Sequence, residues 1–141
     1  MKNRINFIIS KYNRLLKSLI ISIFRVVCDL GCGEALIADH FSKKKDNILK
    51  RFYNFDLVSI NKHVQVADIS NLPLKNGDVD IAIFCLALMG KNYFEFLKEA
   101  TRIMKLNGYL IIAEVNSRIA DENLFSEMIE KLGYKTEEKV S

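Results

Sequence analysis

The chain has 141 residues, half of them hydrophobic and 27% charged, with a formal net charge of +4. That is enough apolar material for one domain with a sizeable core, and it excludes a chain disordered throughout. The mild positive charge permits an RNA partner without requiring one.

Cys28, Cys32 and Cys85 are the only cysteines. Three is an odd number and no C-x-x-C pair occurs, so a reducing compartment is expected, with no disulfide framework and no zinc site. His40 and His63 have no metal-ligand spacing between them. No metal is expected.

Residues 1–25 carry Lys2, Arg4, Lys11, Arg14, Lys17 and Arg25 and no acid. Ile5, Ile8, Tyr12, Leu15, Leu19 and Phe24 recur at near-helical spacing, so a basic amphipathic helix is expected here. It would pack on the sheet as a first helix, offer a basic face to RNA, or act as a mitochondrial presequence. Lys17 and Arg25 bracket a run far shorter than the roughly 20 apolar residues of a membrane span, so no membrane partner is expected.

A single domain is expected over 26–141. It opens on Val26-Val27-Cys28-Asp29-Leu30-Gly31-Cys32-Gly33. An apolar run ends at an acid, a glycine turn follows, and Leu36, Ile37, Ala38 and Phe41 continue at helical spacing. Strand, turn and helix in that order form the place where an open α/β sheet binds a nucleotide-like cofactor. The glycines permit positive φ and close approach of a ligand, and the opening helix is expected to aim N–H groups at it. The dinucleotide fingerprint G-x-G-x-x-G would need a third glycine where Leu36 stands, and the Gly-Lys-Ser/Thr ending of a Walker loop is absent. What remains is D-x-G-x-G. Its acid would repel a pyrophosphate but suits an ammonium and a sulfonium, the pair carried by S-adenosylmethionine (SAM). The alternative is a tight turn with no ligand.

Lys43, Lys44, Lys45, Lys50 and Arg51 suggest a solvated helix end and loop, with an RNA-facing patch as the alternative. Phe52 to Leu57 is a second short strand. Its Asp56 falls where such folds place a carboxylate on the ribose hydroxyls, although capping the next turn is an alternative. Val64, Val66 and Ile69 mark a third strand. Asp68 near its end would accept from an adenine amino group, or simply start the turn Ser70-Asn71-Leu72-Pro73. Val79 to Leu86 has the near-continuous apolar pattern of a central strand buried on both faces. A helix follows with Phe94, Leu97, Ala100 and Met104 on one face, turned by Asn107-Gly108. Tyr109 to Val115 is a fifth strand. Asp121 caps a last amphipathic helix ending before Gly133, and Tyr134 to Val140 would begin a sixth strand. The alternation predicts an α/β fold, with a doubly wound, mostly parallel sheet.

The spacing of Asp29-Leu30-Gly31-Cys32-Gly33, Asp56, Asp68 and the strand reaching Cys85 resembles a Rossmann-like class I SAM-dependent methyltransferase. Ile83-Phe84-Cys85-Leu86-Ala87-Leu88-Met89-Gly90 resembles the "VFCLSLMG" segment of the ribosomal RNA-processing protein 8 family, also called nucleomethylin. Asn54-Phe55-Asp56-Leu57 resembles its "xFDL", and Ala113-Glu114-Val115-Asn116-Ser117-Arg118 its "AEVxSR". The resemblance covers about Val26 to Tyr134. It implies a nuclear, nucleolar enzyme of ribosome biogenesis that methylates N1 of an adenine in large-subunit ribosomal RNA, leaving S-adenosylhomocysteine. Carried over by position, Asp29, Gly31, Cys32 and Gly33 would hold the methionine end of SAM. Asp56 would hold the ribose, and Asp68 with Ile69 the adenine. Cys85 and Leu86 would line the face of methyl transfer, with Glu114 assisting or, alternatively, pairing with Arg118 at the surface. The family's longer leading helical segment and its seventh strand have no counterpart here. The fifth strand is therefore expected to be a bare edge. An inactive SAM-binding scaffold within a protein complex and a small-molecule methyltransferase are the competing implications.

Overall fold

The computed structural model describes residues 26–42, 52–88, 91–114 and 121–136. The expected amphipathic helix of residues 1–25, the basic run 43–51, Arg118 and most of the expected sixth strand lie outside the described residues. Five strands, β1 (Val27–Leu30), β2 (Phe52–Asp56), β3 (Gln65–Val66), β4 (Val79–Cys85) and β5 (Met104–Ala113), form one sheet in the order β3-β2-β1-β4-β5. All four pairings are parallel. Helices α1 (Leu36–Ser42), α2 (Tyr93–Ile103) and α3 (Glu122–Lys131) complete the described fold.

The central position of β1 and β4 follows from their composition. Every residue of β1 is buried, and Ile81, Ala82, Ile83 and Phe84 of β4 are at most 1% exposed. Alternation sends Cys28, Leu30, Ala82 and Phe84 to one face. There they join Leu97, Ala100 and Ile103 of α2 in the main core, with Phe125, Met128 and Ile129 of α3 packed against it. Val27, Asp29, Ile81 and Ile83 take the opposite face.

Three elements differ from expectation. The third strand is two residues long. After Ala67 N–H bonds Asp56 O at 3.0 Å, Asp68 turns the chain instead of extending it. The second described helix ends at Ile103, before Asn107-Gly108, because Met104 is extended, 8% exposed and already paired with Val79. Asn107-Gly108 instead shapes a bulge inside β5, where three residues of β4 (Val79 to Ile81) face six of β5 (Met104 to Tyr109). Asn107 adopts φ 65°, and a Cβ on Gly108 would lie 2.8 Å from Asp80 O. Residues 134–136 form no strand. Among the described residues β5 pairs with β4 alone, so it is a sheet edge there. Asp121 caps α3 as expected, accepting from Asn123 N and Leu124 N, and Gly133 with φ 100° ends it.

One side-chain network ties α2 to the chain between β3 and β4. Glu99 accepts from Leu72 N at 3.0 Å and is paired with Arg102. Arg102 donates in turn to Leu72 O, Leu74 O and Asn76 Oδ1. Burial would raise the Glu99 carboxyl, but the bonds from Arg102 and Leu72 N–H outweigh it and hold it below its ordinary range. We predict that Arg102→Ala lowers stability by about 2 kcal/mol in urea unfolding, because it strands a buried carboxylate. Arg102→Lys should recover only part of that, since a point charge cannot reach all these acceptors. A loss under about 0.5 kcal/mol would mark the pair as a solvated surface contact.

Candidate cofactor-binding site

The strand order reverses direction between β1 and β4. In open α/β sheets ligands bind at that switch point, outside the carboxyl ends of the strands. All the predicted site residues lie along that edge. Asp29 is in β1 and the glycine turn follows it. Asp56 ends β2, Asp68 and Ile69 follow β3, Cys85 ends β4 and Glu114 follows β5.

The two glycines divide their expected role. Gly31 (φ 75°) clears protein: a Cβ there would lie 2.6 Å from Ala87 Cβ. Gly33 (φ 55°) faces open space, with nothing within 4 Å of a built Cβ. The expected N–H groups are largely engaged. Gly31 N and Cys32 N both donate to Phe55 O, Ala35 N donates to Cys32 O, and Gly33 N donates to Asp56 Oδ2. The turn therefore does not aim these donors at an anion. Acids stand beside it instead, Asp29 in β1 and Asp56 at the end of β2.

Asp29 is 2% exposed and its Oδ1 has no hydrogen-bond partner among the described residues. Burial, and then the charge of Asp56, pushes its carboxyl up to about 7. Asn54 is its Cα partner on β2, is 7% exposed, and also has an unpartnered Oδ1. Sequence reasoning missed Asn54. The available signal was a polar residue two positions before Asp56, hence on the same strand face, in an otherwise apolar stretch.

Asp56 uses both oxygens within the protein: Oδ2 accepts from Gly33 N at 2.8 Å and Oδ1 from Leu57 N at 2.7 Å. A carboxylate has about four acceptor positions, so capacity for two hydroxyls remains. Asp68 realises the turn-starting alternative. Its Oδ1 accepts from Ser70 Oγ at 2.6 Å and Ser70 N at 2.9 Å, which holds it below the usual carboxylate range. Ile69 is buried beside the glycine turn, its Cδ1 3.6 Å from a Cβ built on Gly31.

Leu86, just past β4, has φ 55°, a strained conformation for a large side chain. Its N–H bonds Ala113 O at 2.8 Å, and Leu88 N–H bonds Glu114 Oε2 at 3.3 Å. Glu114 thus braces the loop after β4, a role the sequence did not suggest. The thiols are poor nucleophiles. Burial, then Asp29 and Glu114, pushes Cys85 up to about 11; burial, then Asp29 and Asp56, pushes Cys32 up to about 12. Burial also raises Cys28. A thiol held protonated does not attack a substrate. A cavity of about 440 Å³ lies between α1 and the β2–β3 loop, but none of the predicted site residues lines it.

The Asp29 shift has a stability consequence. Its folded value, about 7, lies above its ordinary 3.8. The folded chain therefore keeps a proton that the unfolded chain has lost, and stability falls as pH rises through that window. Full ionisation costs roughly 4 kcal/mol on that span. Asp29→Asn should thus match the parent near pH 4 and exceed it by about 2–4 kcal/mol near pH 8, compared by urea unfolding at both. An equal difference at the two pH values would rule the shift out.

Residues 5–141 match the family described as hypothetical methyltransferase. The 25S rRNA (adenine(645)-N(1))-methyltransferase of Schizosaccharomyces pombe is 48% identical over 113 residues, covering 79% of this chain and 35% of that protein. The chain thus spans about a third of the length of the curated relatives it matches. A SAM-dependent methyltransferase from Aquifex aeolicus shares the fold with TM-score 0.62 and 19% identity, over 86% of this chain and 78% of that one. The [4+2]-cyclase SpnF superposes with TM-score 0.70 and 16% identity, over 88% of this chain and 56% of its own. At such identities the likeness concerns the fold, and this chain belongs to the hypothetical methyltransferase family.

Proposed function

We propose that the chain forms the SAM-binding part of an RNA methyltransferase acting on adenine N1 in large-subunit ribosomal RNA. The observation that carries the cofactor reading is Asp29, a buried carboxyl with an unpartnered oxygen beneath a glycine turn whose N–H groups are largely engaged. The residues present suit a cationic group. Asp29 supplies an acceptor for an ammonium, Asp56 retains acceptor positions for ribose hydroxyls, and Gly33 leaves the approach open. Asp68 keeps one oxygen outside its bonds to Ser70, enough to accept from an amino group. The substrate reading rests on similarity to the S. pombe enzyme and to relatives named ribosomal RNA-processing protein 8, and with it goes a place in the nucleus or nucleolus.

SAM, when bound, supplies a methyl group activated by its sulfonium. Adenine N1 already carries a lone pair, so the protein's task is positioning and electrostatics more than base catalysis. The strained loop at Leu86, braced by Ala113 O and Glu114, offers backbone groups at the edge where the acceptor ring would sit. Cys85, held as a thiol, lines that edge without forming a covalent bond.

Calorimetry with SAM tests the cofactor. Asp56→Ala should weaken it by about 1.5–3 kcal/mol, the scale of a hydrogen bond to a charged group. Gly33→Val should abolish it by filling the open side of the turn and disfavouring positive φ. Unchanged affinity in both folded variants would reject the site. For the substrate, the full-length protein should transfer methyl from SAM to ribosomal RNA with N1-methyladenosine as product; methyl at another position would reject the N1 reading.

A further inference from the structure

Asp29 and Asn54 stand side by side. They are Cα partners on β1 and β2, strands about 4.8 Å apart, so their side chains leave the same sheet face. Each is more than nine-tenths buried, and each has an Oδ1 without a donor among the described residues. Two buried acceptors without donors are costly. The neighbouring position on β4 is Ile83, which brings no donor. Asp56 from β2 is the charged group that shifts Asp29, and Asp29 in turn raises the thiols of Cys28 on its own strand, Cys32 of the turn and Cys85 of β4. None of them is a cation.

A single proton satisfies both oxygens. On this basis, and resting on the cofactor reading above, we propose that Asn54 is a positioning residue for Asp29. The two share one proton in the free protein, Asp29 Oδ1–H donating to Asn54 Oδ1, and binding of the cationic cofactor sends that proton to solvent. The balance is simple. The O–H bond of Asp29 breaks, the electron pair stays on the carboxylate, the proton goes to water, and the cofactor's positive charge takes its place. The amide oxygen of Asn54 stabilises the neutral acid, so it sets the pH at which the site is ready to accept a cation. Burial and the Asp56 charge act in the same direction.

The affinity for SAM then depends on pH with a defined sign. Below the Asp29 midpoint each binding event releases a proton, so Kd falls about tenfold per pH unit as pH rises, and it levels off above. Carboxyl carbon NMR of the free 141-residue chain reads the midpoint directly. It should lie near neutrality and move down by about one unit or more in Asn54→Ala, with Asn54→Ser, which keeps a hydroxyl, in between. An ordinary acidic midpoint for Asp29, or one unmoved in both folded variants, overturns the shared proton. Calorimetry with SAM near pH 6, in two buffers of different ionisation enthalpy, counts protons. Release near one per SAM, absent in Asp29→Asn, is the expected result. SAM binding without release overturns the expulsion step and leaves the cofactor reading standing. No SAM binding, with a near-neutral Asp29, overturns the cofactor reading and the expulsion step but not the shared proton.

Discussion

Gly31 brings the turn after β1 so close to the loop after β4 that a Cβ there would lie 2.6 Å from Ala87 Cβ. That approach couples three strand ends at the switch point of the sheet. The loop carrying Ala87 is bent through Leu86 at φ 55° and bonded to Ala113 O, while Leu88 N–H rests on Glu114. On the other side, Gly31 N and Cys32 N close onto Phe55 O, so the end of β2 is drawn in as well. A side chain at Gly31 would push these segments apart and with them Asp29, Asp56 and Cys85. The glycine therefore serves the protein's own packing first, and open space lies two residues further, at Gly33.

The site works against the fold that holds it. The core face of β1 and β4 is close-packed with Leu97, Ala100 and Ile103 of α2. The other face keeps Asp29 and Asn54 buried at the centre of the sheet. Apolar residues there would be more stable, by the cost of burying a carboxyl near a second acid. Strain at Leu86 adds to that cost. Stability is regained away from the ligand edge: by the Glu99–Arg102 network on the β3–β4 segment, by the Asp121 cap, and by Asp80, whose Oδ2 accepts from Val26 N at 2.8 Å at the amino end of the sheet.

Local pattern explains what the sequence made visible. Alternation of apolar runs with helical spacing marked every described strand and helix, and the acids at the ends of β1 and β2 lay at spacings that a strand-turn-helix unit enforces. What stayed hidden depends on neighbours distant in the chain. Asn107-Gly108 resembles a helix-ending turn until Met104 is seen pairing with Val79. Asp68 fits an adenine contact and a turn equally well, and only its bonds to Ser70 show that the turn takes one oxygen. Glu114 fitted either an assisting role at the site or a surface pair with Arg118, and its bond to Leu88 stayed hidden because that partner is 26 residues away. Asn54 was invisible for the same reason: a polar residue in a short strand has no assigned neighbour until the register sets it opposite Asp29.

Electrostatics separates this turn from the dinucleotide sites that share its backbone plan. A pyrophosphate needs free N–H groups and a helix dipole. Here four N–H groups of the turn end on Phe55 O, Cys32 O and Asp56, and α1 is only seven residues long. What the edge offers is acceptor capacity, concentrated in Asp29 and Asp56 and opposed by no cation among the groups that shift Asp29. The same fold carries a cyclase as well as methyltransferases, so the sheet alone does not choose the reaction. The choice of ligand charge is made lower down, by which donors the turn has already used and which acceptors it leaves without partners.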